Sequence, residues 1–211
     1  MPSAWLFALL LVAGTPVADK AAVVTGLQRW LDGTTTLDMR FRQSLVSRAL
    51  GTTGDETGRL YLERPGKVRW DYLDPERKVA LLLGDRTALY LEEERQLTRG
   101  RLSGDQGLFP RLLTGKERIE DLFAATLVAS PSAGGTGAYK LKLAAKGEAG
   151  ATAEITLTLH PPEFAIAGAE MLDDTGNRTT YVFFDVRRNR KLPDGLFAFE
   201  PPPGTEVIDE R

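Results

Sequence analysis

The chain has 211 residues, 42% hydrophobic and 27% charged, enough for one globular domain with a sizeable core. A formal net charge of -2 supplies no basic surface for nucleic acid or another polyanion. Cysteine is absent, which removes disulfides, thiolate metal sites, cysteine nucleophiles and any cysteine for lipid attachment.

Residues 4–12 (AWLFALLLV) form a short apolar run, followed by the small residues Ala13, Gly14, Thr15, Val17 and Ala18 around Pro16. Roughly ten apolar residues cannot span about 30 Å of hydrocarbon as a helix, but they suit an export signal. The pattern predicts a signal over residues 1–18, cleaved after Ala18, and a single domain over 19–211 facing a compartment across a membrane. The segment before the run carries no Lys or Arg, so an uncleaved anchor or a misassigned start is the competing reading.

Asp19 is a candidate N-cap for a helix in which Val23, Leu27, Trp30 and Leu31 make an apolar stripe that ends at Asp32-Gly33. The period then switches to two. Leu37, Met39, Phe41, Gln43 and Leu45 alternate with Asp38, Arg40, Arg42 and Ser44, a long half-buried strand. Residues 51–58 (GTTGDETG) read as a flexible hairpin loop, since the Gly-Lys-Ser/Thr ending of a phosphate-binding loop is missing.

The stretch 58–72 (GRLYLERPGKVRWDY) organises the chain. It reads as two short strands about a Pro65-Gly66 turn, with Leu60 and Leu62 on one face of the first and Val68, Trp70 and Tyr72 on one face of the second. The same count puts Arg64 on the leucine face. A guanidinium cannot shed its charge, so an inward position requires hydrogen-bond acceptors. Two readings fit: Arg64 snorkels to water from a strand end, or it forms a polar latch at the mouth of an apolar interior.

Short strands follow over 78–83 and 87–91, joined at Gly84-Asp85, and a return over 96–101 after an exposed tip at Glu92, Glu93 and Glu94. Leu108, Phe109, Leu112 and Leu113 lie near helical spacing, and Ile119, Leu122 and Phe123 make a second short amphipathic turn. Gly115-Lys116 is no nucleotide loop, because Pro110 stands where its first glycine belongs and Glu117 follows the lysine. Strands are predicted again over 126–129, 139–145, 153–159, 166–172 and 179–186, with a loop over 131–137, a turn over 174–177 and a final strand over 196–200. About ten strands in hairpin-like succession predict an antiparallel sheet curved over one core, a barrel or an open barrel.

No constellation carries chemistry. The single histidine, His160, precedes Pro161-Pro162 and reads as a surface residue, leaving neither a catalytic triad nor a histidine metal cluster. The 29 acidic residues single out no acid/base pair. Arg187, Arg188, Asn189, Arg190 and Lys191 read as a solvated hairpin tip, with a docking patch as the alternative. Asn177-Arg178-Thr179 matches a glycosylation sequon that the rest of the chain does not support. No catalytic residue, metal site or cofactor is expected.

These blocks together resemble the LolA family of periplasmic lipoprotein carriers. They are the opening helix, Phe41 and Gln43, the run from Gly58 through Arg64-Pro65-Gly66 to Trp70 and Pro75, and the Gly84-Asp85 hairpin. To these are added Phe109-Pro110-Arg111-Leu112-Leu113-Thr114-Gly115 and the closing Asn189, Phe197, Phe199, Pro202, Gly204 and Val207. The resemblance covers nearly the whole chain after the signal, and the Arg-Pro-Gly block with Trp70 is its most specific part. It implies a mainly β fold with few α-helices: an incomplete, half-open antiparallel barrel under a lid of short helices. Arg64 matches the family's lid-bonding arginine. Leu37, Met39, Phe41, Leu60, Leu62, Val68, Trp70, Phe109 and Leu112 are the candidate lipid-binding cavity.

The implied function is that of a monomeric, non-enzymatic periplasmic carrier. It would bind acylated lipoproteins by their lipid, accept them from an inner-membrane ABC-type releasing complex and deliver them to an outer-membrane acceptor. Two departures stand out. Val68 occupies a position where the family often has an aromatic, and Glu92 to Glu94 replace a more usual Asp-Pro-type turn. They leave open a relative carrying a non-protein lipid or glycolipid. A periplasmic binding or assembly module for apolar ligands and a barrel enzyme acting on lipids are the remaining alternatives.

Overall fold

The structure, a computed structural model, describes residues 18–102, 108–115, 117–131, 137–146, 154–173 and 175–210. The expected export signal lies outside these apart from Ala18, as does the middle of the expected 131–137 loop. In chain order the elements are α1 (Lys20–Asp32), β1 (Thr36–Ser47), β2 (Gly51–Glu63), β3 (Lys67–Asp74), β4 (Lys78–Leu83), β5 (Arg86–Leu91) and β6 (Gln96–Arg101). Then come α2 (Leu108–Thr114), α3 (Ile119–Leu122), β7 (Phe123–Ala129), β8 (Tyr139–Ala145), β9 (Glu154–His160), β10 (Ala165–Leu172), β11 (Arg178–Arg188) and β12 (Glu206–Asp209).

Among the described residues the twelve strands form one sheet, ordered β12-β6-β5-β4-β3-β2-β1-β11-β10-β9-β8-β7. Neighbours are antiparallel except β12, which runs parallel to β6. The sheet does not close, because β12 and β7 are its two edges. Irregular register between β1 and β11 near Asp38 and between β9 and β10 near Ile166 marks bulges, which bend strands and deepen the curl.

Period-two alternation decides which residues meet. Leu37 and Met39 of β1 stand opposite Leu62 and Leu60 of β2, which stand opposite Val68 and Trp70 of β3, and these face Leu82 and Ala80 of β4. The result is an apolar concave face spanning four strands. The opposite face carries charge: Arg59 grips Asp38 through two bonds of 2.7 Å, and Arg69 donates to Asp71 at 2.7 Å.

Several expectations are corrected. Residues 51–57 are no loop but the first half of β2, paired with β1 from Glu56↔Gln43 to Gly51↔Ser47. Their Gly and Thr content signals a turn locally, yet a long partner strand supplies their backbone bonds. Residues 196–200 are no strand. They belong to a strap across the convex face, where the Leu196 carbonyl accepts from Arg69 Nη1 at 2.8 Å and the Phe199 ring lies 5.2 Å from that of Tyr90. The last strand is instead β12, a four-residue edge after Pro201-Pro202-Pro203-Gly204. The basic run after Val186 is not a hairpin tip either: Arg187 and Arg188 finish β11, and Asn189 turns the chain with φ 58°.

Gly58 shows how tightly the central strands meet. A Cβ there would lie 2.2 Å from the Asp71 carbonyl oxygen of β3 and 2.7 Å from the Phe41 ring. Backbone on the neighbouring strand cannot move aside cheaply. Gly58→Ala is therefore expected to lower unfolding free energy by about 1–3 kcal/mol in urea titrations, by overpacking rather than by loss of a contact.

Candidate functional site

The apolar concave face is fully roofed. Of the nine candidate cavity residues, Leu37, Met39, Phe41, Leu60, Leu62 and Val68 are at most 1% exposed, and Trp70, Phe109 and Leu112 at most 9%. All nine share one continuous core with Val23, Leu27, Trp30 and Leu31 of α1, Leu113 of α2 and Ile119 of α3. The structure therefore brings the expected residues together: seven lie on β1–β3 and in this closed form pack beneath the helices, while Phe109 and Leu112 belong to α2 itself. Tyr181 and Phe183 of β11 also belong to the site: Phe109 stacks on both, at 6.2 Å and 6.1 Å between ring centres. Their inward phase in the alternating run TTYVFFDV was the available signal for them.

Each helix is fastened differently. Asp19 caps α1 by accepting from the Ala22 amide at 2.8 Å, as its position before the apolar stripe predicts. The far end of α1 is tied to the sheet. Asn189 Nδ2 donates to the Gly33 carbonyl at 2.7 Å, its Oδ1 accepts from the Thr35 amide at 2.8 Å, and the Arg188 guanidinium lies 5.7 Å from the Trp30 ring centre. Gln28 of α1 accepts from the Ile119 amide at 2.8 Å and so holds the start of α3.

Among the described residues, α2 has one hydrogen bond to the sheet side: Arg64 Nε donates to the Leu113 carbonyl at 2.8 Å. The last carbonyls of a helix lack helical partners and carry the negative end of its dipole. In α2 the Pro110 carbonyl is met by Thr114 Oγ1 and that of Arg111 by the Gly115 amide, while Leu113 is met by Arg64. Arg64 is half-buried in the turn after β2, not in the strand itself, and burial draws its guanidinium below the ordinary range while Asp32 opposes the shift. Its Nε is directed at the end of α2, while the residue as a whole stays only half-buried.

Away from Arg64 the concave face turns polar. Tyr72 donates to Gln43 Oε1 at 2.9 Å, Gln43 Nε2 donates to Glu56 at 3.2 Å, and Lys78 bonds the same carboxylate. The Lys78 ammonium also sits 4.4 Å from the centre of the Tyr72 ring. Tyr181 brings its hydroxyl to 3.5 Å from that of Tyr72. Burial, the largest influence, pushes the Tyr72 phenol up to about 12, and burial likewise raises Tyr181 well above the ordinary range. Both stay neutral hydrogen-bonding groups. Gln43 and Tyr72 stand in the inward registers that the alternation of β1 and β3 assigns them.

An open antiparallel sheet whose apolar hollow is roofed by three helices defines a lidded open-barrel protein. Residues 32–200 match the family described as "Outer membrane lipoprotein carrier protein LolA", and the chain belongs to the LolA family. Similar relatives include a protein of Methylococcus capsulatus named outer-membrane lipoprotein carrier protein, 31% identical over 88% of this chain and 86% of its own length. One of the same name from Pseudomonas paraeruginosa is 33% identical over 97% of each. Among solved structures, an uncharacterized conserved protein from Thermus thermophilus shares the fold with TM-score 0.55 at 14% identity, over 90% of this chain and 98% of that one. A DUF1329 family protein from Desulfovibrio piger does so with TM-score 0.51 at 12% identity, over 84% and 96%.

The raised Tyr72 phenol has a consequence for stability. Between pH 10, the ordinary value, and about 12, the folded protein keeps a proton that the unfolded chain loses. Stability from this group is thus complete below pH 10 and falls as pH rises through that window. Denaturant titrations across it are expected to show a downward slope that Tyr72→Phe makes shallower, with Tyr181 and Tyr61, both raised by burial, among the groups that supply what remains.

Proposed function

We propose that this LolA-family protein is a periplasmic carrier of lipoproteins bound for the outer membrane, holding their acyl chains on the concave face beneath a displaced lid. It acts by carriage rather than catalysis, on a domain covering 19–211 after removal of a signal over 1–18. The donor is an inner-membrane ABC-type releasing complex and the recipient an outer-membrane acceptor. Family membership and the names of the relatives support this reading. The observation that carries the mechanism is the Arg64–Leu113 bond, which fastens α2 over the apolar face.

In this reading Arg64 is a latch. Burying an acyl chain is worth about 0.8 kcal/mol per methylene, hence roughly 10 kcal/mol for one long chain. Unopposed, that would hold cargo too long for a shuttle. Re-forming a charge-assisted bond worth about 1.5–3 kcal/mol, together with lid packing, favours release.

Arg64→Leu is expected to retain a bound fluorescent acylated peptide about tenfold longer or more and to deliver it poorly to acceptor protein. Transfer at the unsubstituted rate would refute the latch. Mass spectrometry of the protein purified from periplasm is expected to find acylated protein. A free lipid or glycolipid in its place would assign the chain to carriage of a non-protein lipid.

A further inference from the structure

The indole nitrogen of Trp70 stands out among the described residues as a buried side-chain polar atom with no hydrogen-bond partner. Trp70 is 9% exposed and lies on the concave face of β3, opposite Leu60 on one side and Ala80 on the other. An indole N–H can only donate, and leaving a buried donor unmet costs about 1–3 kcal/mol. Phenylalanine or leucine would fill an apolar wall without that cost. The nearest polar residue along the same face of the strand is Tyr72, roughly 7 Å further on, and its hydroxyl already donates to Gln43.

Helix α2 lies against β3, and Phe109 and Leu112 share the core with Trp70. Displacing that helix opens the wall containing the unmet donor. A ligand sliding in beneath it must present apolar surface to Leu60, Leu62 and Val68, and can satisfy Trp70 only with an acceptor that carries no charge into the core. The carbonyl oxygen where an acyl chain joins its ester or amide meets both conditions.

We propose that Trp70 Nε1 is a hydrogen-bond site for the carbonyl oxygen of a bound acyl ester or amide, so that the hollow recognises where the tail begins as well as its greasiness. This rests on the carrier reading and adds a chemical preference to it: an acyl chain with its carbonyl is favoured over an alkyl chain of equal length without one. A site built to donate favours the stronger acceptor, and a carbonyl oxygen accepts a hydrogen bond better than the ether oxygen that would replace it.

The test compares monopalmitoylglycerol with its ether counterpart, hexadecylglycerol, which keeps chain and head but lacks the carbonyl. With nitrogen-15-labelled protein, the ester is expected to bind about tenfold more tightly. The Trp70 indole proton resonance should move downfield with the ester alone. Trp70→Phe should bring the two affinities together by weakening ester binding while leaving the ether bound. Equal affinities in the unsubstituted protein with an unmoved indole resonance would overturn the proposal while leaving the carrier reading in place. Binding of neither lipid would remove the carrier reading and this inference with it. The indole shift is read on the unsubstituted protein, so it decides the matter even where the variant folds poorly.

Discussion

In the proposed carriage, one apolar surface has two alternative covers. The concave wall of Leu37, Met39, Phe41, Leu60, Leu62, Val68 and Trp70 is sealed by the helices to at most 9% exposure. A ligand therefore cannot add itself to this closed form. It must replace part of the roof, and the roof must return when it leaves. Every other feature of the concave side follows from that exclusion. Because the same area is dry in both states, the large hydrophobic term nearly cancels, and small polar contacts decide between them. A device of this kind can be tuned by single hydrogen bonds in a way that an empty greasy cavity could not.

The fastenings are unequal in a manner that suits such an exchange. Helix α1 has its own N-cap and is pinned at its far end by Asn189, with Arg188 over Trp30. Helix α3 begins on Gln28 of α1. Helix α2 relies on Arg64 and on the packing of Phe109, Leu112 and Leu113. On the convex side the strap is held by Arg69, Lys67 over the Phe197 ring and the Tyr90–Phe199 contact, beside the buried Leu81 and Leu97. The frame is thus braced on the outside, while among the described residues the piece of the inside lying across β3 is joined to the sheet side by one hydrogen bond, that of Arg64.

The parts legible in the sequence were those where local pattern and tertiary role agree. Alternation in β1 and around Pro65-Gly66 reported the inward faces because those strands are buried on one side only. Arg64 was readable as inward because it continues the phase of Leu60 and Leu62. The failures are equally physical. Residues 51–57 contain no apolar side chain to set a period, and Gly and Thr announce a turn where the backbone in fact pairs with β1. Residues 196–200 alternate like a strand, but Phe197 and Phe199 serve a strap whose backbone joins no ladder of the sheet. The four exposed residues of β12 carry no pattern at all. The unmet Trp70 donor is a property of three-dimensional neighbours and leaves no trace in the chain.

The magnitudes place the proposed latch within limits. If Arg64 alone had to offset roughly 10 kcal/mol for one acyl chain, a bond of about 1.5–3 kcal/mol would fail by a wide margin. It need not, because Phe109, Leu112 and Leu113 bring their own apolar area back to the wall, at about 1.5–3 kcal/mol for each large side chain fully buried. Three such residues recover several kcal/mol, and the Arg64 bond brings the closed state within reach of the loaded one. A much stronger latch would exclude cargo, and a much weaker one would keep it. An arginine meeting one helix-terminal carbonyl, half-buried so that water can compete when it lets go, has a strength between those extremes.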